Sequence, residues 1–592
     1  DDGKKGVYVV VDAGDRQVSL ANDNPYLGTT QIASGTLIVS DNSQLGDTDY
    51  NRQVIFTDNQ QNSVMEITAD VDTCSATAGH GRNIEMRADG EVAVDAGVYT
   101  QWGALMADSS GQDQDAGSTL TKTGAGTLEL TASGTAQSAV RVEEGTLKGD
   151  VADIFPYVSS LWVGDGATFE TGADQDIQSI DATSSGTIDI SDGTVLRLTG
   201  QETSAALDAS LFIGGGTLVN VSDGTVLTGE LNTNLETDSL TYLSDVTVNG
   251  DLTNTSGEVS LQNGAAGDTL TVNGDYNGGG TLLLDSELDG NDSVSDLLVL
   301  NGNTSGNTTV VINPITGIGE PTSTGIKVVD FNADPTQFQN NAQFSLAGSG
   351  YVNMGAYDYM LVEDNSDWYL RSQKETPTPL PEPEPTPDPT PDPAPTPTPA
   401  YQPVLNAKTG GYLNNLRTVN QAFVMERRDH AGGNSQSLHL RILGGHEHYT
   451  AVGQMALHED TSTIQLSGNL LSENWGDDGE WTLAGVGSYS NNQGYSRSNI
   501  TSTRADNQNR GYAVGLTSSW FQHGSQKQGA WLDSWLQYAW FNNDVSEQGD
   551  GVDHYRSSGI VASLEAGYQW LPMRGVLIEP QAQVVYQGVK QN

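Results

Sequence analysis

The sequence is poor in several residue types, and each scarcity excludes a class of protein. Cys74 is the only cysteine in 592 residues, so a disulfide scaffold is excluded, and a lone thiol is usually a small core residue. Lysine and arginine number 25 against 76 aspartate and glutamate residues, which gives a net charge of −51. Because phosphates would be repelled, we expect no binding to nucleic acid. No run of about 20 apolar residues occurs, so no transmembrane helix is expected.

Recognisable catalytic and cofactor motifs are also missing. The chain has no G-x-S-x-G elbow, no phosphate-binding loop and no H-E-x-x-H motif. His446 and His448 lie on one strand face, but without an evident third ligand we interpret them as part of a strand that runs into an exposed loop. Asp289–Asp296 lacks the spacing of stacked calcium repeats and is interpreted as a solvated turn. We therefore predict no enzyme, no cofactor and no metal site.

Proline is concentrated in one segment, Thr376–Pro399, which holds 12 of the 20 prolines at every second position. Proline lacks an N–H group and fixes φ, so the segment can join neither a helix nor the interior of a sheet. It predicts an extended polyproline-II rod of about 75 Å, at about 3.1 Å per residue. The residues before and after it differ in composition.

Before the proline segment, short strands of period two alternate with Gly, Asn, Asp and Ser, and two phrases recur. The first is a turn that ends in Gly, followed by Thr and an apolar residue, as in Ala125–Leu130 and Glu144–Gly149. The second appears in Val248–Leu252 and Val272–Tyr276. Gly126, Gly145, Gly166 and Gly186 lie 19 to 21 residues apart. This period, without crossover helices, predicts a right-handed parallel β-helix with its apolar residues stacked inside.

After residue 400 the chain contains seven of the ten tryptophans and a clean alternation of apolar and polar residues. Tyr512–Trp520, Ala562–Trp570 and Ile578–Tyr586 each place apolar residues on one face. Strands of about ten residues with aromatic ends are typical of outer-membrane β-barrels. The alternative, a soluble sandwich, would place the aromatic residues at strand centres. We assign nine aromatic residues to the membrane interfaces: Trp475, Trp481, Tyr512, Trp520, Trp531, Trp540, Tyr568, Trp570 and Tyr586.

Seven strands can be traced in this part, near 437–446, 461–472, 481–490, 511–521, 530–541, 559–570 and 576–588. Single-chain bacterial barrels have an even number of strands, eight or more. An open edge cannot lie in lipid. The chain also opens inside a strand-like pattern and ends without the aromatic residue that usually closes such barrels. We therefore expect a fragment that is truncated at both ends.

Residues 117–148 resemble the passenger-associated repeat of bacterial autotransporters, which has the form LTKxGxGTLxLxG…TxVxxGTL. Residues 268–312 resemble the C-terminal passenger segment of the pertactin and AIDA-like group. The chain is thus similar to the autotransporters of type Va secretion. The resemblance implies that these rungs act as an autochaperone and that an aromatic cap follows them, comprising Phe331, Tyr351, Trp368 and Tyr369.

Val404–His430 is too polar to span lipid and resembles the helix that runs up the barrel lumen in this family. Its apolar residues recur at helical spacing: Tyr412, Leu416, Val419 and Phe423. In some family members an asparagine pair inside the pore is cut autocatalytically, which makes Asn414 and Asn415 a candidate self-cleavage pair. The alternative is two pore-lining amides in an uncleaved helix.

These features predict an all-β chain in four parts. They are a parallel β-helix passenger at 1–375 (with autochaperone rungs and cap at about 268–372), a Pro-rich linker at 376–400, a pore helix at 401–434, and the first part of an antiparallel outer-membrane barrel at 435–592. The resemblance implies export through the periplasm to the cell surface. It also implies a barrel whose partners are outer-membrane lipid and the barrel-assembly machinery.

For the passenger, the expected function is adhesion, autoaggregation or biofilm formation by binding to a host surface, to glycans or to another copy. One alternative is a surface-displayed enzyme, such as a polysaccharide-active enzyme or an esterase. The repeat-poor region Asp47–Gly117, with Cys74, His80, Arg82 and Trp102, is the only candidate for it. The other alternative is a pure scaffold stalk.

Overall fold

The computed structural model describes residues 6–21, 23–49, 52–57, 62–74, 81–108, 117–178, 180–182, 186–191, 193–199, 206–208, 210–220, 225–376, 400–430, 438–476, 478–524, 528–547, 550–573 and 575–591. The prolines of the predicted rod and His80 lie outside the described residues. The chain divides into two compact units, which comprise residues 1–352 with 359–371 and residues 353–358 with 372–592.

The first unit is a parallel β-helix, and the register of its strands explains the Gly-Thr-apolar phrase. Leu128 pairs with Leu147, Leu147 with Phe169, and Phe169 with Ile188 in successive parallel rungs. All four side chains are fully buried. The threonine that precedes each apolar residue is half-buried and forms an outward ladder in the same register. The phrase therefore encodes one inward and one outward column of side chains.

The second phrase, Val-Asn-Gly-Asp, forms a corner with a ladder of side-chain amides. Each asparagine donates from Nδ2 to Oδ1 of the residue one rung earlier, over 2.5 to 3.0 Å. The ladder comprises Asn232, Asn249, Asn273, Asn301 and Asn332. Glycine follows the asparagine because rungs approach closely there: a Cβ atom on Gly274 would lie 2.4 Å from the carbonyl oxygen of Gly250.

The last rungs end in antiparallel pairing. Ile326–Phe331 pairs with Asp367–Arg371 in the antiparallel sense, with Ile326 opposite Leu370 and Val329 opposite Trp368. Parallel stacking would leave an open edge that can pair with other chains, and the antiparallel strand covers this edge.

The strands that precede the helix have the following bounds: Val9–Ser19, Thr30–Val39, Val54–Phe56, Ser63–Ile67, Ile84–Met86, Gly90–Val94, Tyr99–Trp102, Leu105–Met106, Thr119–Thr123, Thr127–Leu130, Ala139–Val142, Thr146–Gly149, Ser160–Val163, Thr168–Thr171, Gln175–Ile177, Ile180–Ala182, Thr187–Ile190, Val195–Leu198, Ala206–Asp208, Ser210–Asn220, Thr225–Thr228, Glu230–Thr237, Thr241–Tyr242, Val246–Val248, Leu252–Asn254, Glu258–Ser260, Thr269–Val272, Tyr276–Gly278, Thr281–Glu287, Leu297–Leu300, Thr304–Thr316, Ile326–Phe331, Gln343–Leu346, Val352–Met354, Tyr357–Asp364, Asp367–Arg371, Gln373–Thr376 and Ala400–Pro403. A short 3-10 helix spans Asn42–Leu45.

The second unit is a curled antiparallel sheet with one α-helix, α1 (Ala407–Gln421), and a 3-10 turn at Arg427–Asp429. Its strands are β1 (Leu438–Ala451), β2 (Met455–Trp475), β3 (Gly479–Ser498), β4 (Arg504–His523), β5 (Gln528–Glu547), β6 (Asp550–Met573), β7 (Val576–Ile578) and β8 (Gln581–Gln591). Strands β1 to β7 pair in chain order, and β8 pairs with β6. Among the described residues, no helix is both long enough and apolar enough to cross a bilayer.

The seven strands traced in the sequence all exist, and the last is split into β7 and β8. Most of them are much longer than the pattern indicated, because β2 to β5 each have 20 or 21 residues. Alternation of apolar and polar residues marks only part of each strand. In the remainder both faces are polar, so periodicity of hydrophobic residues cannot detect it.

Candidate functional site

Helix α1 lies on the concave face of the curled sheet and packs through its small and polar residues. The side chain of Asn406 caps the helix by accepting from the N–H of Lys408. The buried positions include Gly410, Gly411, Asn414, Asn415 and Thr418, whereas Tyr412 and Leu416 are 37% and 45% exposed. The helix predicted at 401–434 spans Ala407–Gln421, and two of the four apolar residues used to predict it, Tyr412 and Leu416, are partly exposed. Because the concave face of the sheet is polar here, the polar face of the helix packs against it.

Two glycines allow the helix to approach the strands. A Cβ atom on Gly410 would lie 2.5 Å from Cβ of Ser496, and one on Gly411 would lie 2.9 Å from Cγ1 of Val545. Glycine inside a helix costs about 1 kcal/mol relative to alanine. The close contact with β3 and β5 explains why glycine is used here despite that cost.

The candidate pair Asn414 and Asn415 is fully engaged in hydrogen bonds to the sheet. Asn414 donates to the carbonyl oxygen of His458 and to Oδ1 of Asn507, and it accepts from the Tyr449 hydroxyl over 2.7 Å. Asn415 donates to the carbonyl oxygen of Asp544 and to the Tyr555 hydroxyl, and accepts from Asn507. The two amides together thus fix the helix to five strands, β1, β2, β4, β5 and β6. Their proposed role in self-cleavage stays a prediction.

Charged pairs flank this amide cluster. Lys408 Nζ lies 3.1 Å from Asp553 Oδ2, and the Tyr412 hydroxyl donates to the same oxygen over 2.7 Å. Arg417 pairs with Glu447 on β1. These ion pairs therefore connect the helix to β1 and to β6, which lie far apart in the strand order of the sheet.

The segment after the helix packs into an apolar cluster on the same concave face. Phe423 stacks on Phe541 with ring centroids 5.4 Å apart. Val419, Met425 and Trp535 belong to the same buried cluster. Trp535 Nε1 donates to the carbonyl oxygen of Met425 over 2.9 Å, so the main chain is held as well. Sequence reasoning missed this cluster because apolar residues on the concave strand face interrupt the expected polar alternation.

Aromatic residues on the convex face form two rows, which we call the upper row (Tyr489, Tyr512 and Trp540) and the lower row (Trp481 and Trp520). In the upper row Tyr489 lies opposite Tyr512 and Tyr512 opposite Trp540, with ring centroids 5.2 and 6.1 Å apart. In the lower row Trp481 lies opposite Trp520. Tyr512 and Trp520 are eight positions apart on one strand, which at about 3.4 Å per residue and a tilt of about 45° gives a height of about 20 Å. This is close to the apolar band of about 25 Å in such barrels.

Trp475, Tyr568 and Trp570 are exposed beside the lower row, but two predicted interface residues lie elsewhere. Trp531 points to the concave face, where it is 3% exposed and lies beneath the Arg427 guanidinium at 4.3 Å. Neighbouring residues of a strand point to opposite faces of the sheet, so Trp531 lies on the face opposite to that of Leu532. Tyr586 lies opposite Ala562, level with the middle of the apolar band. The interface role of the others stays a prediction.

The predicted cap residues lie at the end of the first unit. Trp368 packs edge-on against Phe344 at 5.6 Å, and Phe344 stacks on Tyr276 of an earlier rung at 6.1 Å. Tyr369 lies between Lys327 and Arg371 in cation–π contact. Phe331 and Tyr351 are half-buried. This arrangement supports our proposal that they cap the stack.

Lys122, in the passenger-associated repeat, was not recognised as important from the sequence. Its Nζ donates to three main-chain carbonyl oxygens, those of Thr123, Gly124 and Glu144, at 2.7 to 2.9 Å. Burial lowers the pKa of Lys122 to about 8. Lys122 therefore connects two neighbouring rungs of the β-helix. The sequence feature that could have revealed this role is the fixed place of the lysine before the Gly-x-Gly-Thr turn.

The repeat-poor region at 47–117 is part of the β-helix where it is described. Val54–Phe56 stacks between Thr30–Val39 and Ile84–Met86 in parallel register. Arg82 is fully buried and donates to the carbonyl oxygens of Arg52 and Gly46. Trp102 is fully buried. These residues serve packing in the described part of the region.

A parallel β-helix followed by a helix seated in a curled sheet of long antiparallel strands defines a secreted passenger joined to a membrane translocator. Residues 228–361 match the family Autochaperone Domain Type 1, and residues 438–592 match the family Autotransporter beta-domain. The chain belongs to the autotransporter family. Its translocator unit inserts in the outer membrane, and its passenger is exposed at the surface.

The chain is similar to several known proteins. The chain is 83% identical to the probable autotransporter YfaL of Escherichia coli K12, over all of this chain and 48% of that protein. It is 28% identical to the autotransporter adhesin AIDA-I of Escherichia coli, over 55% of this chain and 25% of that protein. The crystal structure of the AIDA-I transport unit is 27% identical, with a TM-score of 0.29 over 31% of this chain and 63% of that chain. The chain thus spans about half the length of YfaL.

Proposed function

We propose that the passenger is an adhesin that binds a host surface, glycans or a second copy of itself, and that the translocator unit exports it. The observation that carries the proposal is the outward Thr ladder, in which Thr127, Thr146, Thr168 and Thr187 lie in register on consecutive rungs. Successive strands are about 4.8 Å apart. A row of hydroxyl groups at this spacing suits weak, repeated contacts with an extended polymer.

Charged side chains lie beside this ladder and add specificity. Lys148 Nζ lies 3.0 Å from Glu170 Oε1, and both are partly exposed on the strands that carry Thr146 and Thr168. Exposed pairs of this kind contribute little to stability. They are available to exchange partners with a second surface. The naming of AIDA-I as an adhesin supports the same function.

The test uses the full chain displayed on bacteria that otherwise do not aggregate. We expect settling or surface attachment, and a loss of both in Thr146→Glu/Thr168→Glu. The matched control is Thr119→Glu/Thr121→Glu, which adds the same charge to another sheet of the same helix. Equal loss in both variants would show that charge alone, and not this ladder, matters.

The competing enzymatic function is tested with the same cells. Ester, peptide and glycan substrates are offered to the displayed passenger. Attachment without hydrolysis supports the adhesin, whereas hydrolysis without attachment overturns it.

A further inference from the structure

Three histidines and one aspartate form a cluster on the convex face of the second unit. His446 and His448 project from β1, and the register places Asp460 opposite His446 and His458 opposite His448 on β2. The sequence showed only the first two residues. The third imidazole and the carboxylate come from the neighbouring strand, which pairing alone brings into place.

The four side chains are already in contact. The imidazole centroids of His446 and His448 are 4.2 Å apart, and those of His448 and His458 are 4.1 Å apart, both with the rings nearly perpendicular. His446 Nδ1 lies 2.5 Å from Asp460 Oδ1. Side chains directly opposite in an antiparallel pair have Cβ atoms about 5 Å apart. The His448 ring is thus in contact with the rings of both His446 and His458.

We propose that His446, His448 and His458 bind one divalent transition-metal ion of the zinc type, and that Asp460 positions the His446 ring. Imidazole nitrogen suits Zn²⁺, Cu²⁺ and Ni²⁺, whereas Ca²⁺ and Mg²⁺ require oxygen ligands. Three protein ligands and a water molecule satisfy tetrahedral zinc. A metal-binding histidine commonly donates its other N–H to a carboxylate, which fixes its tautomer. The contact between His446 Nδ1 and Asp460 supplies this interaction and leaves Nε2 for the ion.

The rings must turn for the ion to bind. Among the described residues, no three His, Cys, Asp or Glu side chains already form a metal-binding group. The His446 and Asp460 side chains are 59% and 73% exposed, so rotation about their side-chain bonds meets little steric resistance. The ring of His458 also contacts β3, because it stacks on Tyr495 with ring centroids 4.2 Å apart and an interplanar angle of 14°. This contact limits the rotation of His458.

The position of the cluster indicates what the ion would do. Ile442 lies opposite Ile464, and Ile464 lies opposite Tyr489, so Ile442 is level with the upper aromatic row. His446 is four residues farther along β1, beyond the apolar band. An ion held by His446 and His458 would connect the side chains of β1 and β2. It would therefore clamp this hairpin outside the lipid-facing part of the sheet.

The chain contains a matched control site. His554 Nδ1 lies 2.6 Å from Asp544 Oδ1 on the same sheet, with a similarly exposed imidazole. This pair reproduces the His446–Asp460 contact. The register places Val545, Asp544 and Asn543 opposite Asp553, His554 and Tyr555, so no second histidine lies across from it. His554→Ala therefore removes a His–Asp pair without removing the proposed ligands.

The experiment titrates Zn²⁺ into the full chain, without a polyhistidine tag, in detergent micelles after chelator treatment. We expect one Zn²⁺ per chain, a loss of affinity of at least about tenfold in His448→Ala and in His458→Ala, and a loss of about tenfold in Asp460→Asn. His554→Ala and Cys74→Ser should bind as the parent does. Ca²⁺ should not compete.

Unheated gel migration of each variant shows whether the sheet has folded, so that lost binding is assigned to the site. The proposal is overturned if the parent chain binds no Zn²⁺ or if the variant His448→Ala/His458→Ala retains parental affinity. One ion per two chains would also overturn it, because the site would then lie between copies.

Discussion

The lysine of the passenger-associated repeat, Lys122, is a buried donor to main-chain carbonyl groups. Replacing it with methionine keeps the chain length but leaves three carbonyl oxygens without this donor. Unsatisfied buried polar groups each cost about 1–3 kcal/mol. We expect Lys122→Met to increase proteolysis of the displayed passenger, measured as loss of the full-length band with time. Lys148→Met, which removes a partly exposed lysine, should change it little.

Asp296 is a second buried group whose role differs from the expectation of a solvated turn. Its Oδ1 accepts from the N–H groups of Gly267 and Asp268, and its Oδ2 accepts from that of Asp285. Burial raises the pKa of Asp296 to about 6. The carboxyl group therefore organises a loop within the autochaperone match rather than a calcium site.

This pKa shift predicts a pH dependence with a definite sign. An acid with a raised folded-state pKa stabilises the fold fully below its unfolded value of about 4. That contribution is lost as the pH rises through about 6. We expect the parent to lose about 1–2 kcal/mol over this range, after solvent screening is allowed for, and Asp296→Asn to lose less.

The measurement is the urea concentration at which the passenger of the full chain becomes protease-sensitive, taken between about pH 4 and about pH 7. Asp292→Asn, an exposed neighbour, serves as the control. If Asp296→Asn follows the pH dependence of the parent, Asp296 is not its source.

At the scale of elements, α1 and the long strands show what a sequence can and cannot predict. The rungs of the β-helix followed from repeated phrases, because each phrase places one residue inward and one outward. The seven strands followed from apolar alternation, but their polar halves did not. The sequence placed Trp531 on the wrong face of the sheet. Its position near a strand end indicates its depth in the membrane, but the face to which it points depends on the strand register. The third histidine of the proposed metal site required strand pairing for the same reason.

The asparagine pair of α1 gives a prediction for this element. Because both amides are held by the sheet, we expect Asn414 and Asn415 to anchor an uncleaved helix. Mass measurement of the refolded chain should give one intact species. Asn414→Ala/Asn415→Ala should lower the temperature at which the sheet unfolds, as seen by gel migration, since several buried polar contacts at about 1 kcal/mol each are lost.

Exposed Leu416 on the same helix provides the control, and Leu416→Ala should unfold close to the parent temperature. Fragments that end at Asn414 in the parent, and that disappear in the double variant, would instead support self-cleavage.

At the scale of the whole molecule, the chain meets two solvents with two kinds of surface. The passenger buries its apolar residues and presents threonine, asparagine and charged side chains to water. The translocator exposes leucine, valine, tyrosine and tryptophan on its convex face, which is stable only against lipid. A net charge of −51 over the 592 residues opposes non-specific binding to nucleic acid.

The proline segment separates these two surfaces in the sequence, and it is the point at which we expect the chain to be cut. Because proline at every second position removes the N–H groups needed for regular hydrogen bonding, the sequence predicts a segment that is open to proteases. Its 12 prolines are each followed by a residue other than proline, which makes it a substrate for proteases that cut after proline. Brief treatment of intact cells with such an enzyme should release the passenger and leave a fragment from the segment onward in the membrane. A variant with these 12 prolines changed to alanine should keep its passenger attached. Cleavage at equal rates in both would place the exposed bond outside the proline segment.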